Sequence, residues 1–506
     1  MKVLGINFSH DASFSIIENN EIVFYQEESM LSGIKKDHNI NYLWNEIKNN
    51  KFNTIIFSQA KIDNINAVHY KKYIVDKCSK YNISYDEITH NLDHHLQHAA
   101  CAYFNSGFDK AHCLIMDGSG TEFYYKNKKI GHEIESIFKF NKKIELKWKV
   151  CMGKDKTYTK NIHAIQSISP ALLFKFAAKC IGSNEPGAVM GMSSYEKEST
   201  ADTLTEPVFY NNNNLFKVNQ SFLWSIQEGH IDKFKFAKSI QEQSKNIVLK
   251  RIEKLKKYNL CLSGGFFQNC QINNDILSVH KNVFVDPLAH DGGTSLGLAL
   301  LVAFKNNIKV KPYKNLYLGV KPLYPENIKQ NTSVKEVAKL LKENNIVGIF
   351  QGRQEAGPRA LGNRSILFNP MNPHAKEIVN IFKKREWYRP FAGTVLHEHA
   401  HDWFDLNGKK ETPYMSYAIK VKKSVAGITH VDKSCRVQTL KKEQNKNFYE
   451  LIYSFYKLSG IPILLNTSLN ISGKPLIGTF QQAVDMFNTS SLKYLYFPDI
   501  QFLLKK

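Results

Sequence analysis

Short apolar runs broken by polar, glycine- or asparagine-bearing stretches set the rhythm of residues 1–125. Val3–Ile6 and Ser13–Ile17 read as strands, and Asn19-Asn20 fits a hairpin turn into a third, Ile22–Tyr25. Thr54–Phe57 and Cys113–Met116 have the length and continuity of buried strands, whereas His94–Phe104 carries helical spacing. Residues 125–255 are rich in lysine and aromatic side chains and read as an insertion that is more helical in its later part. Within it, Val248, Ile252 and Leu255 share one face of a basic amphipathic helix over 231–257, expected as a solvated surface helix. Strand–loop–helix order returns over 260–305. Leu260–Leu262 leads into Gly264-Gly265, and Val283–Asp286 leads through a glycine-rich turn into Leu296–Phe304. Pro312, Pro322 and Pro325 mark 306–330 as a linker. Strands Ile346–Phe350 and Ile461–Leu465 and helices His374–Lys384 and Thr479–Asn488 then outline a second unit. The pattern predicts an α/β protein with one domain over 1–310 and another over 325–506.

Composition narrows this picture. At 506 residues, with 43% hydrophobic and 23% charged residues, the chain is an ordinary globular one of two or three domains. No apolar run reaches 18 residues, so no membrane span is expected. Polar Asn7, Ser9, His10 and Asp11 follow the first strand too closely for a signal peptide. Eight cysteines form no Cys-x-x-Cys pair, which suits a reducing compartment and predicts a cytoplasmic location.

Charge adds a question. The net charge is +22, which fits an anionic partner, nucleic acid included, but also fits an AT-rich coding sequence that favours lysine. Only seven of the 68 basic residues are arginine, and six of those seven lie between 353 and 436. A planar fork grips phosphate or carboxylate oxygens in a way that lysine does not, so the clustering predicts an anion site in the last third of the chain.

The candidate chemistry falls just after the short strands. Asn7 to Ser13 holds His10 and Asp11. The stretches Asp117-Gly118-Ser119-Gly120, Ser263-Gly264-Gly265 and His290-Asp291-Gly292-Gly293 follow strand-like runs as well. Ligands gather at such strand ends, and glycine lets backbone N–H groups approach phosphate, so these turns predict a nucleotide site. His94 and His98 are four apart and share a helix face, while His95 points elsewhere. With Asp117 and Asp291 they would form a His₂Asp₂ set suited to a divalent ion, iron, magnesium or manganese. His397, His399 and His401 alternate in a segment expected to be solvated and are not selected. Gly352–Ser365 places Arg353, Arg359 and Arg364 on a Gly/Pro-stiffened loop, followed by Lys383, Arg385, Arg389 and Arg436. Asn466–Asn470 follows a strand and offers amides and hydroxyls to a small planar polar group.

At these residues the chain resembles the ATP-dependent O-carbamoyltransferases of antibiotic and nodulation-factor biosynthesis. The resemblance covers nearly the whole chain. It rests on residues 10–13 (HDAS), 93–100 (DHHLQHAA), 116–120 (MDGSG), 263–269 (SGGFFQN), 352–365 (GRQEAGPRALGNRS), 383–392 (KKREWYRPFA) and 464–470 (LLNTSLN). It implies an actin-like ATPase domain with duplicated mixed sheets, joined to a YrdC-like α/β domain. It also implies that carbamoyl phosphate and ATP yield carbamoyl-adenylate, and that the carbamoyl group then passes to an acceptor hydroxyl, by default of a small molecule or sugar. The implied metal set is His94, His98, Asp117 and Asp291. Nucleotide contacts would fall on Gly118, Ser119, Gly120, Gly264, Gly265, Asn269 and Gly292. Carbamoyl phosphate contacts would fall on Arg353, Arg359, Arg364, Arg385, Arg389, Asn466 and Ser468. His10, Arg436 and Lys383 would be catalytic, His10 at the acceptor hydroxyl. The family's Lys-Val-Met-Gly-Leu-Ala segment reads Ala188–Ser193 here, without its lysine, and Leu469 replaces a phenylalanine. A hydroxymethylated DNA base as acceptor stays open, as do a tRNA threonylcarbamoyl-type activity, a non-catalytic nucleotide-binding relative and a homodimer.

Overall fold

The computed structural model describes residues 1–37, 40–59, 64–196, 209–212, 215–218 and 232–506. The chain is α/β and divides into two compact units. The first comprises Met1–Ser9, Ile17–Glu21 and Lys51–Pro312; the second comprises His10–Ile16, Ile22–Asn50 and Tyr313–Lys506. The break after Pro312 falls in the proline-marked linker, but two early segments group with the C-terminal half. Among the described residues no helix is long and apolar enough to cross a membrane. All eight cysteines are free thiols.

In the first unit, strands Lys2–Asn7, Lys51–Ser58 and Ser84–His90 pair in parallel. A second, mixed sheet is built around Ala111–Met116. This strand pairs in parallel with Leu260–Ser263, which pairs in parallel with Val283–Val285. On its other edge it pairs antiparallel with Lys128–Phe140. The carboxyl ends of the three parallel strands therefore bring Asp117, Gly264 and Asp286 to one rim, the place where α/β sheets receive ligands. Asn19 and Asn20 both adopt positive φ, 51° and 63°, as a type I′ turn demands.

Segment 125–255 is helical in its later part, but its first part is sheet. Strands Lys128–Phe140, Ile144–Met152, Lys156–Thr159 and Ile162–Ile165 extend the second sheet, and helices appear only from Pro170–Cys180 onward. The cause is a period of two: Ile144, Leu146, Trp148 and Val150 alternate with Glu145, Lys147 and Lys149. Lys149 keeps the polar phase of this alternation yet is fully buried, paired with Glu133 and 3.7 Å from Asp93. Ile231 lies outside the described residues, and the basic helix runs Lys233–Glu253, capped by Asp232. Its buried face is wider than Val248, Ile252 and Leu255 alone, while Lys233, Asn246, Lys250 and Glu253 are exposed. Phe236, Ile240, Ile247, Val248 and Ile252 are buried along one face.

The second unit is a nine-stranded mixed sheet. Its order is Phe404–Asp405, Ala418–Val421, Ser434–Leu440, Ala392–Leu396, Ile463–Ser468, Arg364–Phe368, Val347–Phe350, Tyr494–Phe497, Phe502–Lys505. Alternation sorts its two faces. Val347, Ile349, Leu367 and Leu464 pack with helices Val334–Lys342 and Lys446–Ser459. Phe350, Ile366 and Leu495 pack with Phe382 and with helix Phe480–Thr489.

Candidate active site

Helix His94–Ser106 begins at Asp93, whose side chain accepts the N–H of Leu96. That cap fixes the first turn and puts His94 and His98 on one face. Ligand atoms of His94, His98, Asp117 and Asp291 all lie within 4.8 Å of one another. His94 Nε2 is 3.5 Å from Asp117 Oδ2 and 3.6 Å from Asp291 Oδ1, and His98 Nε2 is 3.7 Å from Asp291 Oδ1. Both histidines are buried, and the imidazole nitrogens Nε2 approach to 3.2 Å. Two imidazoles and two carboxylates converging at a largely buried site are a fitting donor set for a divalent first-row ion. Among the described residues no other cluster of this kind occurs.

Electrostatics match this geometry. Burial works against a charge on His94, but Asp291 and Asp117 outweigh it and push the imidazole well above its usual range. Burial and Asp291 act to raise Asp117; the His94 hydrogen bond and the nearby His98 prevail and hold it down at about 2. His94 and Asp117 therefore stabilise each other as charges, a balance a cation would take over.

Two approaches hold the cluster together. Gly264 has φ +95°, and a Cβ there would stand 2.3 Å from Met116 O; its neighbour Gly265 donates its N–H to Asp117 Oδ1 at 2.9 Å. Gly297, in helix Thr294–Lys305, sits where a Cβ would meet Gln97 O at 2.0 Å, so the Asp291 turn is drawn against the histidine helix. Behind His98, its Nδ1 lies 3.4 Å from Ser263 Oγ, which donates to Asp286 Oδ2 at 3.0 Å. Ser263 thus accepts from Nδ1–H, leaving the Nε2 lone pair for the cluster. Sequence reasoning missed Asp286 as a partner, although its place at a strand end was visible. His95 turns away, with Nδ1 2.8 Å from Ser136 Oγ.

The other expected nucleotide residues occupy the same rim. Gly118 O accepts from Ser169 Oγ at 2.9 Å, Ser119 is half-buried, and a Cβ on Gly120 would strike Glu133. Gly292 O accepts from Ser295 Oγ at 3.2 Å. Asn269 caps helix Cys270–Val279 and exchanges amide hydrogen bonds with Gln241. The lysine-less segment Ala188–Ser193 lies within helix Gly187–Ser193.

In the second unit the arginine-bearing loop is organised by a residue that motif reading passed over. Glu355 Oε1 accepts the backbone N–H groups of Leu361, Asn363 and Arg364 at 2.9, 2.8 and 3.0 Å. A carboxylate between two glycines, with no adjacent cation, was its only sequence signal. The arginines divide by role. Arg364 is fully buried, lies 3.9 Å over the Phe350 ring and donates to the carbonyls of Gln351, Asn363 and Gly352. Arg353 donates to the carbonyls of Gly319, Val23 and Leu318. Arg385 donates to Asn380 and Pro390, and Arg389 pairs with Glu386 at 3.3 Å. Arg353 and Arg364 therefore brace the loop rather than form the expected anion cradle, because main-chain carbonyls take their forks. Arg359 and Arg436 are half-buried.

Lys383 is brought to the asparagine motif. Its Nζ donates to Ser468 O and Asn470 O, each at 2.6 Å, and to Asn470 Oδ1 at 2.5 Å. Arg436 and Asn466 stand in one row of the sheet, each paired with Ala392, so their side chains share a face. His10 belongs to the second unit, with Nδ1 3.8 Å from Asp11 Oδ2 and its side chain 38% exposed. The unselected His399 is 3.8 Å from Asp402 and packs on Tyr456.

Comparison with known proteins extends this picture. Residues 46–300 match the family model described as the carbamoyltransferase N-terminus, and residues 338–505 match the carbamoyltransferase C-terminus. An uncharacterized protein of Methanocaldococcus jannaschii is 28% identical over 96% of this chain and 96% of its own. Nodulation protein NolNO of Sinorhizobium fredii is 30% identical over 79% of this chain and 62% of its own. Nodulation protein U of Rhizobium fredii is 25% identical over 94% of this chain and 90% of its own. With both halves matched in order, and the histidine helix and asparagine motif falling inside the matched ranges, the chain belongs to the carbamoyltransferase family.

Proposed function

We propose that this carbamoyltransferase is ATP-dependent and acts on a hydroxyl group, with carbamoyl phosphate as its donor. The observation that carries the reading is the pairing of a His₂Asp₂ cluster in one unit with the Lys383–Asn466–Ser468 polar motif in the other. On this reading residues 325–506 bind carbamoyl phosphate and residues 1–310 hold the nucleotide and the acceptor.

The chemistry balances in three steps. Water takes the phosphoryl group of carbamoyl phosphate, releasing phosphate and carbamate. The carbamate oxygen attacks the α-phosphorus of ATP, releasing pyrophosphate and forming carbamoyl-adenylate. The acceptor hydroxyl attacks the carbamoyl carbon and AMP leaves. Carbamate alone is a poor electrophile, and adenylation gives it a good leaving group. Arg359 and Arg436 would neutralise phosphoryl charge as it develops. His10 would take the acceptor proton, being the side chain whose ordinary pKa lies nearest neutrality. His94, His98, Asp117 and Asp291 would hold a divalent ion, which when bound offsets the negative charge of the nucleotide phosphates.

The test is to incubate the full chain with carbamoyl phosphate, ATP and a panel of hydroxyl acceptors, including nucleosides from modified DNA. The expected result is stoichiometric pyrophosphate and AMP, with one acceptor gaining the mass of a carbamoyl group. Carbamoyl transfer that proceeds equally without ATP would overturn the adenylate route.

A further inference from the structure

Asn466 is fully buried at the centre of the second unit's sheet, and its amide has a determined orientation. The chain of hydrogen bonds starts at the backbone. Leu361 O, a pure acceptor, takes Gln438 Nε2–H at 3.0 Å. This turns Gln438 Oε1 toward Thr394, whose hydroxyl donates to it at 2.8 Å. With its proton spent, Thr394 Oγ1 can only accept from Asn466, and Nδ2 approaches it at 2.9 Å. Ala360 O and Gln438 Oε1 accept from the same Nδ2, each at 3.3 Å. A flipped amide would set Oδ1 against three acceptors at once. The network therefore holds Nδ2 inward and Oδ1 on the opposite side, where no donor among the described residues reaches it.

A buried acceptor held without a donor selects ligands that bring one. Ala392 lies between Asn466 and Arg436 in the same row of the sheet, so only a methyl group separates the amide from the guanidinium-bearing strand. Two strand spacings, roughly 10 Å, span an anionic group at one end and a small planar group at the other.

We infer that Thr394 and Gln438 are positioning residues that present Asn466 Oδ1 to an N–H of the donor's carbamoyl group, making this site selective for carbamoyl phosphate over acyl phosphates that lack the NH₂. The inference rests on the assignment of carbamoyl phosphate to the second unit. Acetyl phosphate is the discriminating probe, because it replaces the NH₂ by a methyl group and keeps the phosphate and carbonyl.

Calorimetric titration of the full-length protein with both compounds tests the idea. The native protein should bind carbamoyl phosphate at least about 10-fold tighter than acetyl phosphate, since sites built to pair a donor reject analogues lacking it. Thr394→Val keeps the shape and removes the hydroxyl, and it should bring the ratio to within about threefold, as should Gln438→Met. Thr394→Ser retains the hydroxyl and should preserve the ratio, a rescue that mere packing would not produce. Thermal melting of each variant separates loss of fold from loss of selectivity. Equal binding of the two phosphates by the native protein would overturn the inference while leaving the donor assignment intact, as would a ratio unmoved in Thr394→Val and Gln438→Met. Binding of neither compound would instead remove the donor assignment, and the inference with it.

Discussion

Arg364 and Ser263 illustrate how much of this molecule's chemistry is committed to holding other groups still. The Arg364 guanidinium serves three backbone carbonyls inside the core. Lysine keeps the charge but not the fork, so Arg364→Lys should cost roughly 2–4 kcal/mol in a urea denaturation curve. Ser263 and Asp286 act on the His₂Asp₂ cluster through His98. Ser263→Ala or Asp286→Asn should weaken divalent-ion affinity about 10- to 100-fold, read by competition with a chromophoric chelator, and should shift the ligand-field spectrum of the cobalt-loaded protein. His95 supplies a pH signature. Burial lowers its pKa to about 3, against 6.5 unfolded, so it stays neutral in the fold. The unfolded chain takes up a proton below pH 6.5 that the native one refuses. Stability present above that pH is therefore lost as pH falls toward 3, by up to about 1.4 kcal/mol per pH unit from this group. His95→Gln should flatten the dependence of unfolding free energy on pH between 6.5 and 4.5, measured by urea titration.

At the scale of elements, the histidine helix and the helix Thr294–Lys305 behave as one device. Gly297 lets them touch, so Gly297→Ala should cost about 1–3 kcal/mol by overpacking and, by moving Asp291 away from His98, lower metal affinity as well. Calorimetric melting with and without added divalent ion would read both effects. The same elements mark what sequence can disclose. Histidines four apart on a helix and aspartates at strand ends are local patterns, so the quartet was legible before any coordinates. The strands between 128 and 165 were less so: Lys149 is fully buried there, a place that Glu133, sixteen residues away, and Asp93 make habitable. Glu355 and Asp286 escaped for a similar reason: their roles are defined by backbone N–H groups and a serine that the fold delivers. The arginine cluster was legible as a cluster, but its division into braces and half-buried forks depends on which carbonyls surround each guanidinium.

For the whole molecule, the +22 charge is carried mostly by lysine, so any nucleic-acid association should be non-specific and salt-sensitive. Retardation of duplex DNA in a gel should appear at low ionic strength and vanish by about 0.2 M salt. The division into units has a temporal side. Residues 10–16 and 22–50 group with a body that begins again only at Tyr313. On the ribosome, at about 5–20 residues per second, those early segments must wait tens of seconds for their companions to be synthesised. A C-terminal half made alone would lack two segments of its own unit. A polypeptide started at Tyr313 should stay aggregation-prone until a peptide spanning residues 10–50 is supplied.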